Sequence, residues 1–399
     1  MESYEDHEIV IVGGGICGLA TALAFHRKGI KCTVLERSDS VRAVGAAMIM
    51  LPNGWRALDH LGVADQLRST AILIKGGYRV YVQNGKRVKL PLGDDEVRCL
   101  KRQDLVRVLA ENLPEGIIQL GCKVMSLKIC EKSHSFLHLE DGRVIRAKLV
   151  IGCDGVHSIV SDTLGLSPMK VTVTSGVRGF TYYPNGHNFS PEFLNYTSEK
   201  GQFGYLPIND KYVYWFVNSI YIKEDAHIMK NKSRIMEVSL SFIKGYDKKY
   251  IEMVKNTDMD VLHFTHNVIL RSPFDMFTNT FRKRAVMVAG DALHAMGPFL
   301  AQGGSLSLED AVILVRTVAP SISIGPSGPL LDKGIEQALD KFFHQRKMRV
   351  FWIMCQTFLM GIVGGNIASK PLKFLGILLL VVVFSRDPSA FTRFDCGPL

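Results

Sequence analysis

The chain has 399 residues, a formal charge of +10, 47% hydrophobic and 22% charged residues, and a mean hydropathy of +0.12. At roughly 150 residues per domain this length holds two to three domain-sized units with an ample core, so neither disulfides nor metals are needed as staples. The composition excludes disordered, collagenous and coiled-coil chains, and without an 18-residue apolar run it argues against an ordinary spanning helix.

The first predicted unit is βαβ. An apolar strand at Glu8-Ile9-Val10-Ile11-Val12 meets a glycine turn, residues 19–28 have helical spacing, Gly29 stops that helix, and residues 31–36 form a second strand. Because the chain enters a strand almost at once, and Glu2, Glu5, Asp6 and Glu8 are acidic, neither a secretory leader nor a transit peptide is expected. The turn reads Gly13-Gly14-Gly15-Ile16-Cys17-Gly18, and Glu36 ends the next strand. Each part has a task in holding a dinucleotide. Gly13 permits the tight turn, Gly15 lets the backbone approach a pyrophosphate, and Gly18 lets helix and strand pack closely. The helix N-terminus offers N–H groups to phosphate, and Glu36, with Arg37 beside it, can accept from ribose hydroxyls.

Two further strands run into turns of similar design. Residues 148–152 lead into Cys153-Asp154-Gly155-Val156-His157-Ser158. Residues 285–289 lead into Gly290-Asp291-Ala292-Leu293-His294, and then to Pro298, Gln302, Gly303 and Gly304 at the start of an apparent helix. A carboxylate after a buried strand can hold a ribityl or ribose hydroxyl. The helix opened by Gly303 and Gly304 presents a second positive N-terminus, suited to the electron-rich edge of a reduced flavin. Between these turns, residues 171–219 alternate with period two and are rich in aromatics, which predicts antiparallel sheet. From residue 335 the pattern is helical.

The expected fold class is therefore α/β: a Rossmann-type nucleotide-binding domain carrying an inserted mixed or antiparallel sheet domain and a helical C-terminal region. The expected boundaries are 1–170 for the first part of the nucleotide-binding domain, with a small excursion to the second lobe near 72–98. The sheet domain follows at 171–284, the return segment at 285–334 and the helical region at 335–399. None of the eight cysteines lies in a C-x-x-C pair or at zinc spacing, so no metal site is expected, and reduced thiols point to a cytoplasmic setting. The basic clusters lack the aromatic interleaving of a nucleic-acid module, so no nucleic-acid partner is expected.

The three motifs, in this order and spacing, resemble the FAD-dependent aromatic hydroxylase family of single-component flavin monooxygenases. Residues 52–58, Pro-Asn-Gly-Trp-Arg-Ala-Leu, and the closing Phe394-Asp395-Cys396-Gly397 are similar to its plant monooxygenase branch, related to 3-hydroxybenzoate 6-hydroxylases and salicylate hydroxylases. The resemblance implies non-covalent FAD, with NAD(P)H as co-substrate. It implies hydroxylation of a small phenolic or benzoate-like substrate with O₂ through a flavin C4a-hydroperoxide. By the same resemblance Gly13, Gly15, Gly18 and Glu36 would bind the ADP half of FAD, Arg102 would lie near the flavin chain, and Val124 beside the adenine. Asp154 and Gly155 would serve FAD and NAD(P)H, Asp291 would contact the ribityl chain, and Pro298 would lie beside the flavin ring.

Three positions depart from the family pattern. Ser161 stands where an arginine is common, Ala301 replaces the glycine of Pro-x-x-Gly-Gln-Gly, and Ala47 replaces a glycine after Arg42. An alanine held at positive φ costs roughly 1–2 kcal/mol. These departures motivate an alternative, a flavin-binding redox or interaction protein with little turnover. An isoprenoid epoxidase of the same fold is the other alternative. Tyr182, Tyr205 and Trp215 are the expected substrate-contacting aromatics, and no general base is assigned. The apolar run at 374–384, with Lys373 before it, leaves room for peripheral membrane contact by a monomer or homodimer.

Overall fold

The computed structural model describes residues 4–399, apart from 42–46, 91, 93–94, 131–133, 220–230, 326–327, 332–333, 365–369 and 385–389. Its frame is an eight-stranded sheet whose parallel centre runs Val286–Val288, Val144–Gly152, Glu5–Val12, Thr33–Leu35 and Ile118–Gln119. The long Val144–Gly152 strand serves two neighbours. Its first half pairs antiparallel with Ser135–Leu139, and its last residues pair parallel with Val286–Val288. Buried on both faces, these strands are continuous apolar runs such as Ile9, Val10, Ile11 and Val12.

Helix Ile16–Arg27 packs on this sheet and against helix Gly303–Val318. Gly18 lets the helix sit close over the first strand and its turn: a Cβ there would lie 1.9 Å from the Gly13 carbonyl oxygen and 3.3 Å from Ile11 Cγ2. From Ile16 to Phe25 every residue of the first helix is buried, so it is a core helix with no solvent face.

The second sheet has seven strands in the order His263–Leu270, Lys170–Tyr182, Tyr212–Ser219, Gly201–Asn209, Glu192–Ser198, Gly76–Tyr81 and Arg87–Lys89. The last two come from the 72–98 region and join through a parallel pairing with Glu192–Ser198. One face of this sheet is closed by helices Lys232–Phe242 and Lys248–Lys255 over Val177, Phe203, Tyr205, Val213, Trp215 and Val217. The Trp215 indole donates to Thr257 Oγ1 at 2.7 Å. The opposite face looks toward the nucleotide-binding domain.

Helix Ile335–Gly364 runs back along Gly303–Val318, and helix Lys370–Phe384 packs beside its last turns. The C-terminal tail returns to the first domain, held by guanidinium groups on its carbonyls. Arg349 donates to Phe391 at 2.9 Å, Arg56 to Arg393 and Phe394, and Arg316 to Cys396 and Pro398.

Candidate active site

Three strands end at one edge of the parallel sheet, and backbone bonds bring their turns together: Cys153 N donates to Val12 O at 2.8 Å and Ala289 N to Gly152 O at 2.9 Å. Gly13 has φ +103°, and a Cβ there would sit 2.6 Å from Cys153 O, so both conformation and space demand glycine. At Gly15 nothing lies within 4 Å of an added Cβ, which leaves the approach to the helix N-terminus open. Glu36 is 8% exposed; it accepts from Gly14 N at 2.6 Å and Ser38 N at 2.9 Å. Each carboxylate oxygen keeps a further lone pair for a hydroxyl donor.

In the second turn Gly155 takes φ +78°. Asp154 Oδ2 accepts from Val160 N at 3.4 Å, whereas its buried Oδ1 has no partner among the described residues. Burial raises the Asp154 carboxyl above its ordinary value. Ser161 is buried and donates to Ala292 O at 3.0 Å, tying this turn to the third one. Arg271 donates to the same carbonyl at 3.0 Å and lines the cavity, so a guanidinium stands beside Ser161 although it comes from a distant part of the chain.

The third turn begins at Gly290, φ +61°, where a Cβ would meet Cys17 Cβ at 2.8 Å. It leads through Asp291 and a short 3₁₀ turn at Pro298–Leu300 to Ala301, φ +52°, ψ +32°, and then to the helix that Gly303 opens. Ala301 therefore occupies the left-handed region that its glycine counterpart would adopt freely. Ala47 differs: it begins an ordinary strand, Ala47–Met50, without a positive φ.

Behind this turn lies a buried ionic network. Asp310 accepts from Gly290 N at 3.0 Å, from His294 Nε2 at 2.7 Å and from Arg346 Nε at 2.7 Å. Glu309 accepts from Arg346 and Arg349, each at 2.7 Å, and from Asn53 at 2.6 Å; Asn53 also donates to Gln302 at 2.9 Å. Burial acts to raise the Asp310 carboxyl, but His294 and Arg346 outweigh it and bring it down to about 2.

A continuous cavity of about 1410 Å³ joins the three turns to the open face of the second sheet. Gly13, Gly15, Glu36, Arg37, Arg102, Val124, Asp154, Gly155, Asp291, Pro298, Gly303 and Gly304 all line it. Gly18 sits behind the wall as a packing residue. The exposed His157 lines the cavity as well, whereas His294 is held wholly inside by Asp310.

The expected aromatic wall is corrected. Tyr205 and Trp215 point to the opposite face of the sheet, into the core under the two covering helices. Tyr182 lies at the far end of its strand, 46% exposed and stacked on Tyr212. Instead Arg178, Asn195, Gln202, Tyr214, Phe216 and Asn218 line the cavity, with Arg79 beyond Asn195. Side chains alternate along a strand, so one register step decides which set faces inward. Tyr214 and Trp215 are adjacent aromatics, and composition does not choose between them. Asn195 is 7% exposed and its Oδ1 has no partner among the described residues; Arg178 donates to Thr265 Oγ1 at 3.1 Å. Burial pushes the Tyr214 hydroxyl up to about 12, with Arg178 acting in the opposite sense.

Residues 6–333 match the family model of the FAD binding domain. The chain is 44% identical to Monooxygenase 1 of Arabidopsis thaliana, over 99% of this chain and 100% of that protein. It is 32% identical to Monooxygenase 2 of the same plant, over the whole of both chains. Its fold is similar to Klebsiella pneumoniae HpxO complexed with FAD and uric acid, with a TM-score of 0.78 and 19% identity over 98% of this chain and 96% of that one. The cradle fits FAD on its own terms: open backbone at Gly15, an acid at the end of the second strand, and the unpartnered Asp154 Oδ1 inside the cavity.

Arg346→Met removes the shared cation from two buried carboxylates and lowers folding stability by about 3–5 kcal/mol, read as a fall in Tm and in retained flavin. Asp310 has a folded pKa below its unfolded one. Its stabilisation is therefore complete above pH about 4 and is lost as the pH falls toward about 2, a limb that Asp310→Asn flattens in acid unfolding curves. Ala301→Gly relieves the left-handed alanine and raises stability by up to about 1 kcal/mol, measured by denaturant unfolding.

Proposed function

Because the chain belongs to the FAD-binding-domain family of monooxygenases, of the aromatic-hydroxylase type, we propose that it hydroxylates a small aromatic acid or phenol, using NAD(P)H and O₂. The observation that carries this reading is the charge layout of the cavity. Its described carboxylates, Glu36, Asp154 and Asp291, lie on the three turns of the nucleotide-binding domain, while the sheet wall carries Arg79 and Arg178 and no acid. A substrate with one anionic end and an aromatic body is held by those cations against Tyr214 and Phe216, with its far end toward the 296–301 loop.

FAD, when bound, supplies the redox and oxygen chemistry. The chain binds and orients it. The Gly13–Gly15 backbone and the N-terminus of Ile16–Arg27 would hold the pyrophosphate, Glu36 and Asp291 would accept hydrogen bonds from its hydroxyls, and the N-terminus of Gly303–Val318 would favour the electron-rich part of the reduced ring. The apolar part of the wall, including Leu206, Phe216, Phe299 and Met360, excludes water from the reacting region. Tyr214 stays protonated through neutral pH, so its hydroxyl remains available as a hydrogen-bond donor to a phenolate or carbonyl oxygen. That same apolar part favours a second reading, an isoprenoid substrate, which lacks the anionic end.

The test is NAD(P)H oxidation and O₂ uptake across hydroxybenzoates, neutral phenols and polyenes. Hydroxybenzoates are expected to stimulate oxidation most and to yield hydroxylated product. Arg178→Gln should raise KM for the acids about tenfold or more, the loss of one charge-assisted hydrogen bond, with kcat and the KM of neutral phenols little changed. Stimulation by polyenes alone would transfer the assignment to the second reading. No coupled turnover with any class would overturn both.

A further inference from the structure

We propose that helix Lys370–Phe384 seats the protein on an anionic lipid leaflet, beside the mouth of the active-site cavity. Residues 374–384 contain no charged or polar side chain. Seven of them, Phe374, Leu375, Ile377, Leu378, Leu379, Val381 and Val382, are 40–69% exposed. At 3.6 residues per turn these seven spread over an arc of about 200°. Gly376 and the half-buried Leu380 occupy the remaining side. Gly376 makes the contact with the preceding helix, its Cβ position lying 3.1 Å from Val363 and 3.6 Å from Ile362. A helix covering a water-soluble core presents polar residues over such an arc; this one presents none.

The breadth of the arc favours a bilayer as its occupant. A protein groove covers a stripe of i, i+3, i+4 and i+7 positions on a docked helix, whereas lipid covers every side that the protein does not. Length fits the same occupant. The 11 uncharged residues span about 16 Å as a helix, about half of a hydrocarbon core, and no described helix is long and apolar enough to cross a membrane. Charge completes the match. Lys373 sits in the first turn of the helix on a chain of net charge +10, placed to meet anionic headgroups while the apolar arc enters the acyl region.

Continuity with the active site gives the seat a consequence. Phe358, Met360, Gly361, Ile362 and Val363, the end of helix Ile335–Gly364, line the cavity, and the Lys370–Phe384 helix packs on that same end. A lipid-dissolved substrate thus reaches the cavity along an apolar wall without crossing bulk water.

The inference is independent of the substrate assignment and is tested without turnover. The full-length flavoprotein is floated with phosphatidylcholine vesicles, with and without phosphatidylserine, alongside Leu378→Glu/Val382→Glu. Both substituted positions are exposed, so flavin absorbance and Tm should match the parent protein. The parent is expected to float with phosphatidylserine-containing vesicles, less well as salt is raised, and the double variant to partition at least about tenfold less. Three results would each overturn the proposal: a parent that stays in the lipid-free fraction, a double variant that floats equally well, or light scattering that shows a homodimer split by the double substitution. The last would make a second copy of the chain the occupant of the arc.

Discussion

The active site depends on burying two adjacent carboxylates, Glu309 and Asp310, in the first half of helix Gly303–Val318. Removing both from water is expensive, and it is tolerated because Arg346 bridges them, Arg349 engages Glu309, and His294 and Gly290 N complete Asp310. An ion pair of this kind contributes less to net stability than to registration. Its hydrogen bonds accept only one arrangement of the Pro52–Leu61 helix, the Gly290 turn, the Gly303–Val318 helix and the Ile335–Gly364 helix. Apolar side chains in the same places would pack while permitting small slips. The helical C-terminal region is therefore part of the flavin site, and the angle at which the Gly303 N-terminus meets the cavity is set from the far end of the chain.

The edge of the parallel sheet supplies the other half of that registration. In parallel sheets ligands bind beyond the carboxyl ends of the strands, where loops can diverge. Here the turns after Val12, Gly152 and Val288 are laced by backbone bonds, and Gly13, Gly18 and Gly290 allow approaches that any side chain would block. Three motifs separated by more than a hundred residues become one cradle for this reason. On the function proposed, anion binding there would use N–H groups and helix N-termini with Arg37, Arg102 and Lys123 on the wall, leaving Glu36 and Asp291 for hydroxyls.

The cradle was legible in the sequence because its chemistry is local: a strand, a glycine turn and a helix lie within about twenty residues, and each glycine has a steric reason that spacing reveals. The sheet wall was not, because facing is decided by register between strands. Phe180 pairs with Tyr214 and Arg178 with Phe216, so Tyr205 and Trp215 fall on the opposite face. Arg271 was equally hidden. Its role arises from a shared carbonyl, Ala292 O, which also receives Ser161 from 131 residues earlier in the chain. The network around Arg346 gave only a weak trace, a Glu-Asp pair amid the buried, largely apolar residues 306–315, where two adjacent acids require buried cations from elsewhere.

The division of charge along the cavity has a consequence for how a substrate is oriented. For the substrate we propose, Arg79 and Arg178 draw the anionic end to the sheet wall, whereas Arg37, Arg102 and Lys123 at the other end would meet the cofactor's own phosphates, and the apolar wall between lowers the local dielectric and lengthens the reach of the two sheet cations. On that proposal orientation begins before any close contact forms, since the two sheet cations attract one end of the substrate. Neutral polar groups would act later on the same proposal: Asn195 with an oxygen unpartnered among the described residues and the protonated Tyr214 hydroxyl would select for hydrogen-bonding groups on the bound ring. Two long-range charges and two short-range hydrogen-bonding groups would thus divide steering from recognition in the function proposed, and the sheet can vary the second set without disturbing the cradle that the buried ion network holds in place.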